Sequence, residues 1–204
     1  MLEKESRFRK SIFTIILELF LILVTVVLGL VVNEMRISYN EKQRTNKILK
    51  YMISEMESNS ENLSKLMTYH HNISDSLNNL TKVVFASHYH KLTFQDFAKA
   101  IPKGFKIPLI ESTGWKLLNN SGAINDIGLE LSVTLSKLYS LQDFLQQKLD
   151  IISQNMYVSG NLNLNNIDNL VLASGFLIND IITQEEKLNE DYPKIIKKLK
   201  EAIS

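Results

Sequence analysis

Between Lys10 and Glu34 lie 23 residues, Ser11 to Asn33, that carry one ionisable side chain, Glu18. Seventeen of them are Ile, Leu, Val or Phe. As a helix rising about 1.5 Å per residue, the segment reaches about 34 Å, enough to cross a hydrocarbon core of about 30 Å. At about −0.3 to −0.6 kcal/mol each, the apolar side chains outweigh one carboxyl at about +2.5 to +3.5 kcal/mol. The segment is expected to be a transmembrane anchor. A cleavable signal peptide would have a shorter apolar region and then a small-x-small site. Val31-Val32-Asn33-Glu34-Met35-Arg36 offers no such site.

This helix has a polar face. At 100° per residue, Ser11, Thr14, Thr25, Gly29 and Asn33 all fall within about 60° of Glu18. Large apolar side chains dominate the rest. Small and polar residues on one stripe let helices approach closely and hydrogen-bond across the contact, so the stripe is the candidate interaction surface. A carboxyl at membrane depth usually faces protein. Lys4, Arg7, Arg9 and Lys10 crowd the helix on its N-terminal side, whereas Arg36, Lys42, Arg44, Lys47 and Lys50 are spread out after it. The expected topology is a cytoplasmic N-terminus and an external C-terminal domain.

The remainder of the chain suits helices. Its 204 residues include only 7 Gly and 3 Pro, which disfavours an all-β or doubly wound fold. No cysteine is present, which excludes disulfides, thiolate metal sites and cysteine nucleophiles. Basic and acidic side chains nearly cancel, 23 against 22, so nothing argues for nucleic acid. Residues 1–10 read as a short cytoplasmic tail, 11–33 as the membrane helix, 34–47 as a polar helical stalk and 48–204 as a helical bundle domain. The fold class is all-α, a transmembrane helix continuing into an antiparallel bundle.

Within the bundle, Ile48, Leu49, Met52, Ile53, Met56, Leu63, Leu66 and Met67 recur at the spacing of one helical face. The pattern resumes through Ile73, Leu77, Leu80 and Val84, as one very long helix or two with a bend. Ser87 to Gly122 is irregular and holds Pro102, Gly104 and Pro108, with a short helix around Phe94 to Lys99. Ser112 or Thr113 is placed to cap another through Trp115 to Leu118, ended by Asn119 to Gly122. Asn125 or Asp126 should open a long amphipathic helix running to about Met156. A further helix spans about Ile167 to Leu188, punctuated by Asp191-Tyr192-Pro193 before a short amphipathic tail.

Two stretches carry a resemblance when read together. One is the membrane-helix acid with Gly29, Asn33 and Glu34, leading to Ser54-Glu55-Met56-Glu57-Ser58-Asn59. The other is Gly114-Trp115-Lys116-Leu117-Leu118-Asn119-Asn120-Ser121-Gly122-Ala123, with Leu138-Tyr139-Ser140 beyond it. The chain resembles a Bacteroidetes-type family of uncharacterised single-pass bacterial membrane proteins, a domain of unknown function. That family usually reads Ile-Asn-Asn-Trp-Asn-Glu after its membrane helix; here Val32-Asn33-Glu34-Met35 lacks the Trp. The resemblance implies an architecture and a bacterial inner-membrane location, and no activity.

Sites of chemistry are sparse. His88-Tyr89-His90, with His70 or His71 nearby, could supply imidazoles to a metal, but no acidic ligand stands at metal-binding spacing. Solvated or hydrogen-bonded histidines are the preferred reading, with no metal and no cofactor. Trp115, Ser121, Gly122 and Tyr139 are read as fold-defining: an aromatic anchor, a positive-φ helix stop and a core tyrosine whose hydroxyl bonds to that turn. No catalytic motif occurs, and the chain is expected not to be an enzyme. Three roles fit this pattern. The first is a membrane-anchored interaction or scaffolding protein whose partners are the lipid bilayer and a second copy or another membrane protein. The second is a membrane-complex subunit coupling protons or ions through Glu18. The third is a periplasmic sensor that needs a signalling partner.

Overall fold

A computed structural model describes residues 2–86, 92–157 and 167–203, with side chains described for 14–86, 92–150 and 167–203. The described residues form an all-α fold with no strand. In contact terms the chain divides into two units, Met1–Thr45 and Asn46–Ser204.

Helix α1 runs unbroken over Leu2–Ala86. No Gly or Pro occurs between Glu34 and Ala86, so nothing in the chain interrupts the backbone ladder, and the alternative of two helices with a bend is not adopted. In the first unit the large apolar side chains from Ile15 to Val32 are exposed, apart from a half-buried Val24. An 18-residue window of the helix has mean hydropathy 3.1 with none of it buried. This is the one helix among the described residues long and apolar enough to cross a membrane.

In the second unit, the stretch of α1 from Leu49 to Leu77 turns one face inward, with Leu49, Met52, Met56, Leu63, Ile73 and Leu77 buried. Helix α5, Ile167–Ile203, lies antiparallel to it: Lys200 meets Glu57, Glu185 meets His70 and Asn179 meets Ser74. Helix α4, Leu129–Tyr157, is also antiparallel to α5, with Glu130 on Lys198, Gln142 on Tyr192 and Lys148 on Asp180. Two short helices fill the α1–α4 connection. Helix α2, Phe94–Ala100, starts on a capping box: Thr93 Oγ1 accepts from Asp96 N–H, and the Asp96 carboxylate accepts from Thr93 N–H. Helix α3, Thr113–Asn120, packs its Gly114 against α1.

Two boundaries differ from the sequence expectation. Asn125 and Asp126 close a 3₁₀ turn, Ala123–Asp126, and α4 begins only at Leu129. Gly128 between them adopts φ 77°, a left-handed conformation that no helix can pass through. At the other end, Asp191-Tyr192-Pro193 does not punctuate α5, which continues to Ile203. Proline inside a helix costs about 3 kcal/mol, but Tyr192, Ile195 and Leu199 are all buried on the same face. At about 1.5–3 kcal/mol for each large side chain, that burial wins.

Candidate functional site

Two places concentrate polar groups where apolar ones would be expected: the membrane-length stretch of α1 and the interior of the bundle.

On α1, Glu18, Thr25 and Asn33 are exposed, as is Thr14. Thr25 Oγ1 donates to the Leu21 carbonyl at 2.8 Å, which satisfies the hydroxyl within its own helix. A Cβ built on Gly29 would meet nothing within 4 Å, so the helix surface there is open to close approach. Ser11 lies on the helix, its side chain outside the described residues.

Inside the bundle, α1 presents a ladder of polar side chains to the extended segment between α2 and α3 and to the first turn of α3. Glu55 Oε2 accepts from Gly114 N–H at 2.8 Å. Asn59 clasps one residue from both sides, donating to the Glu111 carbonyl and accepting from its N–H. Tyr69 Oη donates to the Gly104 carbonyl and accepts from Lys103 N–H. His70 Nε2 donates to the Lys106 carbonyl at 2.9 Å. An irregular segment offers its backbone no secondary-structure partners, and buried backbone groups must be paired. Side chains on one helix supply that pairing here.

The Glu55 carboxylate also fixes the aromatic cluster. Its other oxygen accepts from Tyr139 Oη at 2.9 Å, and the Tyr139 ring stacks on Trp115 with centroids 5.1 Å apart and planes 10° apart. This corrects the expectation that the Tyr139 hydroxyl bonds to the turn after α3. Ser112 at the α3 N-cap makes no side-chain capping bond. Glu55 takes over that role, a negative group at the positive end of a helix. Ser121 Oγ donates to the Leu118 carbonyl, and Gly122 adopts φ 76° beyond the end of α3, as the helix-stop reading expects. Burial first, and then the Glu55 charge, hold the Tyr139 phenol well above its usual range. Tyr192, which accepts from Gln142 Nε2 at 2.8 Å, is also raised, chiefly by burial. Gln142 Oε1 is buried with no hydrogen-bond partner among the described residues.

The most enclosed polar pair was not visible as a pair in the sequence. His70 Nδ1 lies 2.9 Å from both Glu185 oxygens, with the side chains 1% and 0% exposed. A carbonyl only accepts, so Nε2 must carry its hydrogen toward Lys106 O. One further proton then lies between Nδ1 and the carboxylate, and the pair is neutral as a whole. The signal was present in the spacing: Leu63, His70 and Leu77 are seven apart on α1, and Glu185 falls among Ile178, Ile181, Leu188 and Tyr192 on the inward stripe of α5. His71 is exposed, 3.5 Å from Glu186. His88 and His90 lie outside the described residues, and among the described residues no three His, Asp or Glu side chains converge as a metal site would require.

No family model, curated protein or solved structure matches the chain. Function therefore has to be read from geometry. Apart from Gln142 Oε1, the interior polar groups described above face one another or backbone, and what they do chemically is clamp the α2–α3 segment and align three long helices.

Proposed function

We propose that this chain is a membrane-anchored helical interaction or scaffolding protein, held in a bacterial inner membrane by residues 11–33 and presenting its bundle on the periplasmic side. The single observation that carries the reading is the unburied apolar stretch of α1. A buried core helix would explain the same composition, but none of this window is buried. Exposed apolar surface of that extent marks a membrane or partner contact. The resemblance to single-pass bacterial membrane proteins points the same way.

Glu18 supplies the second half of the reading. In hydrocarbon an ionisable side chain is costly and faces protein or a polar cavity. With Thr14, Thr25, Gly29 and Asn33 on its face, it gives the helix a stripe on which a second copy or another membrane protein can pack. Replacing Glu18 with Gln and with Leu tests this through crosslinking of the full chain in membranes. Association through the stripe predicts that Gln largely preserves the crosslinked species and Leu weakens it. Equal crosslinking in all three chains would contradict the stripe. Intact assembly with loss of function in both variants would instead favour proton or ion coupling through Glu18.

A further inference from the structure

Within the bundle, the α1 residues Leu49, Met56, Leu63, His70 and Leu77 are buried and stand seven apart. Counted back by sevens, the same repeat meets Lys42, Met35, Leu28, Leu21 and Thr14. The companion positions, three residues before each, run from buried Ile53 back to Tyr39, Val32, Thr25, Glu18 and Ser11. From Ser11 to Tyr39 the repeat covers about 42 Å of helix at about 1.5 Å per residue. A seven-residue repeat kept over that length is the pattern of a coiled-coil seam, along which a second helix winds. Here the seam is uncovered: Leu21, Leu28, Val32, Met35 and Tyr39 are between 55% and 68% exposed. Met35 and Tyr39 lie beyond residues 11–33, so the bilayer does not account for their exposure.

The residues on the seam select its occupant. In a parallel pair of identical helices each seam residue meets its own counterpart. Glu18 then finds a carboxyl at its own depth, Thr25 a hydroxyl, and Leu21 and Leu28 apolar side chains. Polar residues within such a seam fix register and strand number. Between Ser11 and Tyr39 the positions flanking the seam carry one charge, Arg36, which falls opposite Val31 of the other copy. Identical helices therefore meet there without like-charge repulsion. The next seam position is Lys42, which would set two ammonium groups against each other and so ends the pairing. We propose that α1 pairs in parallel with α1 of a second copy along this seam, from the membrane segment to Tyr39. This rests on the anchor reading and deepens it, by naming the partner and carrying the contact beyond the bilayer.

The cysteine-free chain allows a direct test. Met35→Cys and Tyr39→Cys lie on the seam and Ile37→Cys on the opposite face; each is made singly in the full chain and oxidised in membranes. All three side chains are exposed, so circular dichroism should match that of the parent chain. A disulfide requires Cα atoms within about 7 Å of each other. The two seam variants should give a reductant-sensitive band of about twice the 23.4 kDa of one chain, and Ile37→Cys should remain single. No such band at either seam position, or equal bands at all three, would overturn the proposal. So would a band of another mass, which would assign the face to a different membrane protein. Alkaline carbonate extraction of the same membranes keeps the two readings apart. A retained chain that does not crosslink fails the seam alone, whereas a chain released into the supernatant fails the anchor.

Discussion

Among the described residues the His70 and Glu185 side chains hydrogen-bond only to each other and to the Lys106 carbonyl, so removing either should expose the cost of burying the survivor. Glu185→Leu or His70→Leu is expected to lose about 3–5 kcal/mol of stability. Glu185→Gln should lose only about 1 kcal/mol, because a neutral imidazole can accept from the amide while Nε2 still donates to Lys106 O. Denaturation of the three variants, monitored by circular dichroism, separates them; an equal loss in Gln and Leu would contradict the shared-proton geometry. Tyr139→Phe leaves a Glu55 oxygen without its donor and should cost about 1–3 kcal/mol. Because burial raises the Tyr139 and Tyr192 phenols, stability should be full below the unfolded phenol value of about 10 and fall as pH rises above it. Changing both tyrosines to Phe should flatten that decline. A Cβ at Gly114 would lie 2.5 Å from Met52 Cγ and 3.3 Å from its Cα, so Gly114→Ala should destabilise by about 1–3 kcal/mol. At this scale the sequence was legible for Trp115, Gly122 and the burial of Tyr139. It was not legible for Glu55, Asn59 and Glu185, because a polar residue on an apolar stripe announces burial without naming its partner, and those partners lie 52 to 115 residues away.

Helices α1, α2 and α5 illustrate what governs elements here. The absence of Gly and Pro from Glu34 to Ala86 left one long helix open as one of two readings, and a short helix around Phe94 to Lys99 was legible, but its Thr93–Asp96 capping box was not singled out. Pro193 misleads because local propensity was weighed without the burial of Tyr192, Ile195 and Leu199, which only the packed bundle provides. Even so, the proline forfeits one backbone bond within α5. Pro193→Ala should therefore raise stability, by up to about 3 kcal/mol, seen as a higher melting temperature. An unchanged or lower one would mean that the ring contributes packing equal to the lost bond. The late start of α4 comes from the φ of Gly128, a conformational choice that residue spacing alone does not reveal.

For the whole molecule, composition was enough for the helical class, and one stretch of 23 residues with a single ionisable side chain set the membrane reading apart from everything else in the chain. The absence of cysteine makes topology directly measurable. A single Cys at exposed Ser136 should react with an impermeant maleimide from the periplasmic side of intact cells; protection there with labelling after lysis would reverse the orientation. Partner identity was never legible, because a polar stripe describes the chemistry of a contact and not the molecule that makes it. Anchor, stripe and topology all depend on residues 11–33 lying in the bilayer. Alkaline carbonate extraction of membranes containing the full chain tests this most directly: the chain should remain in the membrane pellet, and its release into the supernatant would contradict the anchor.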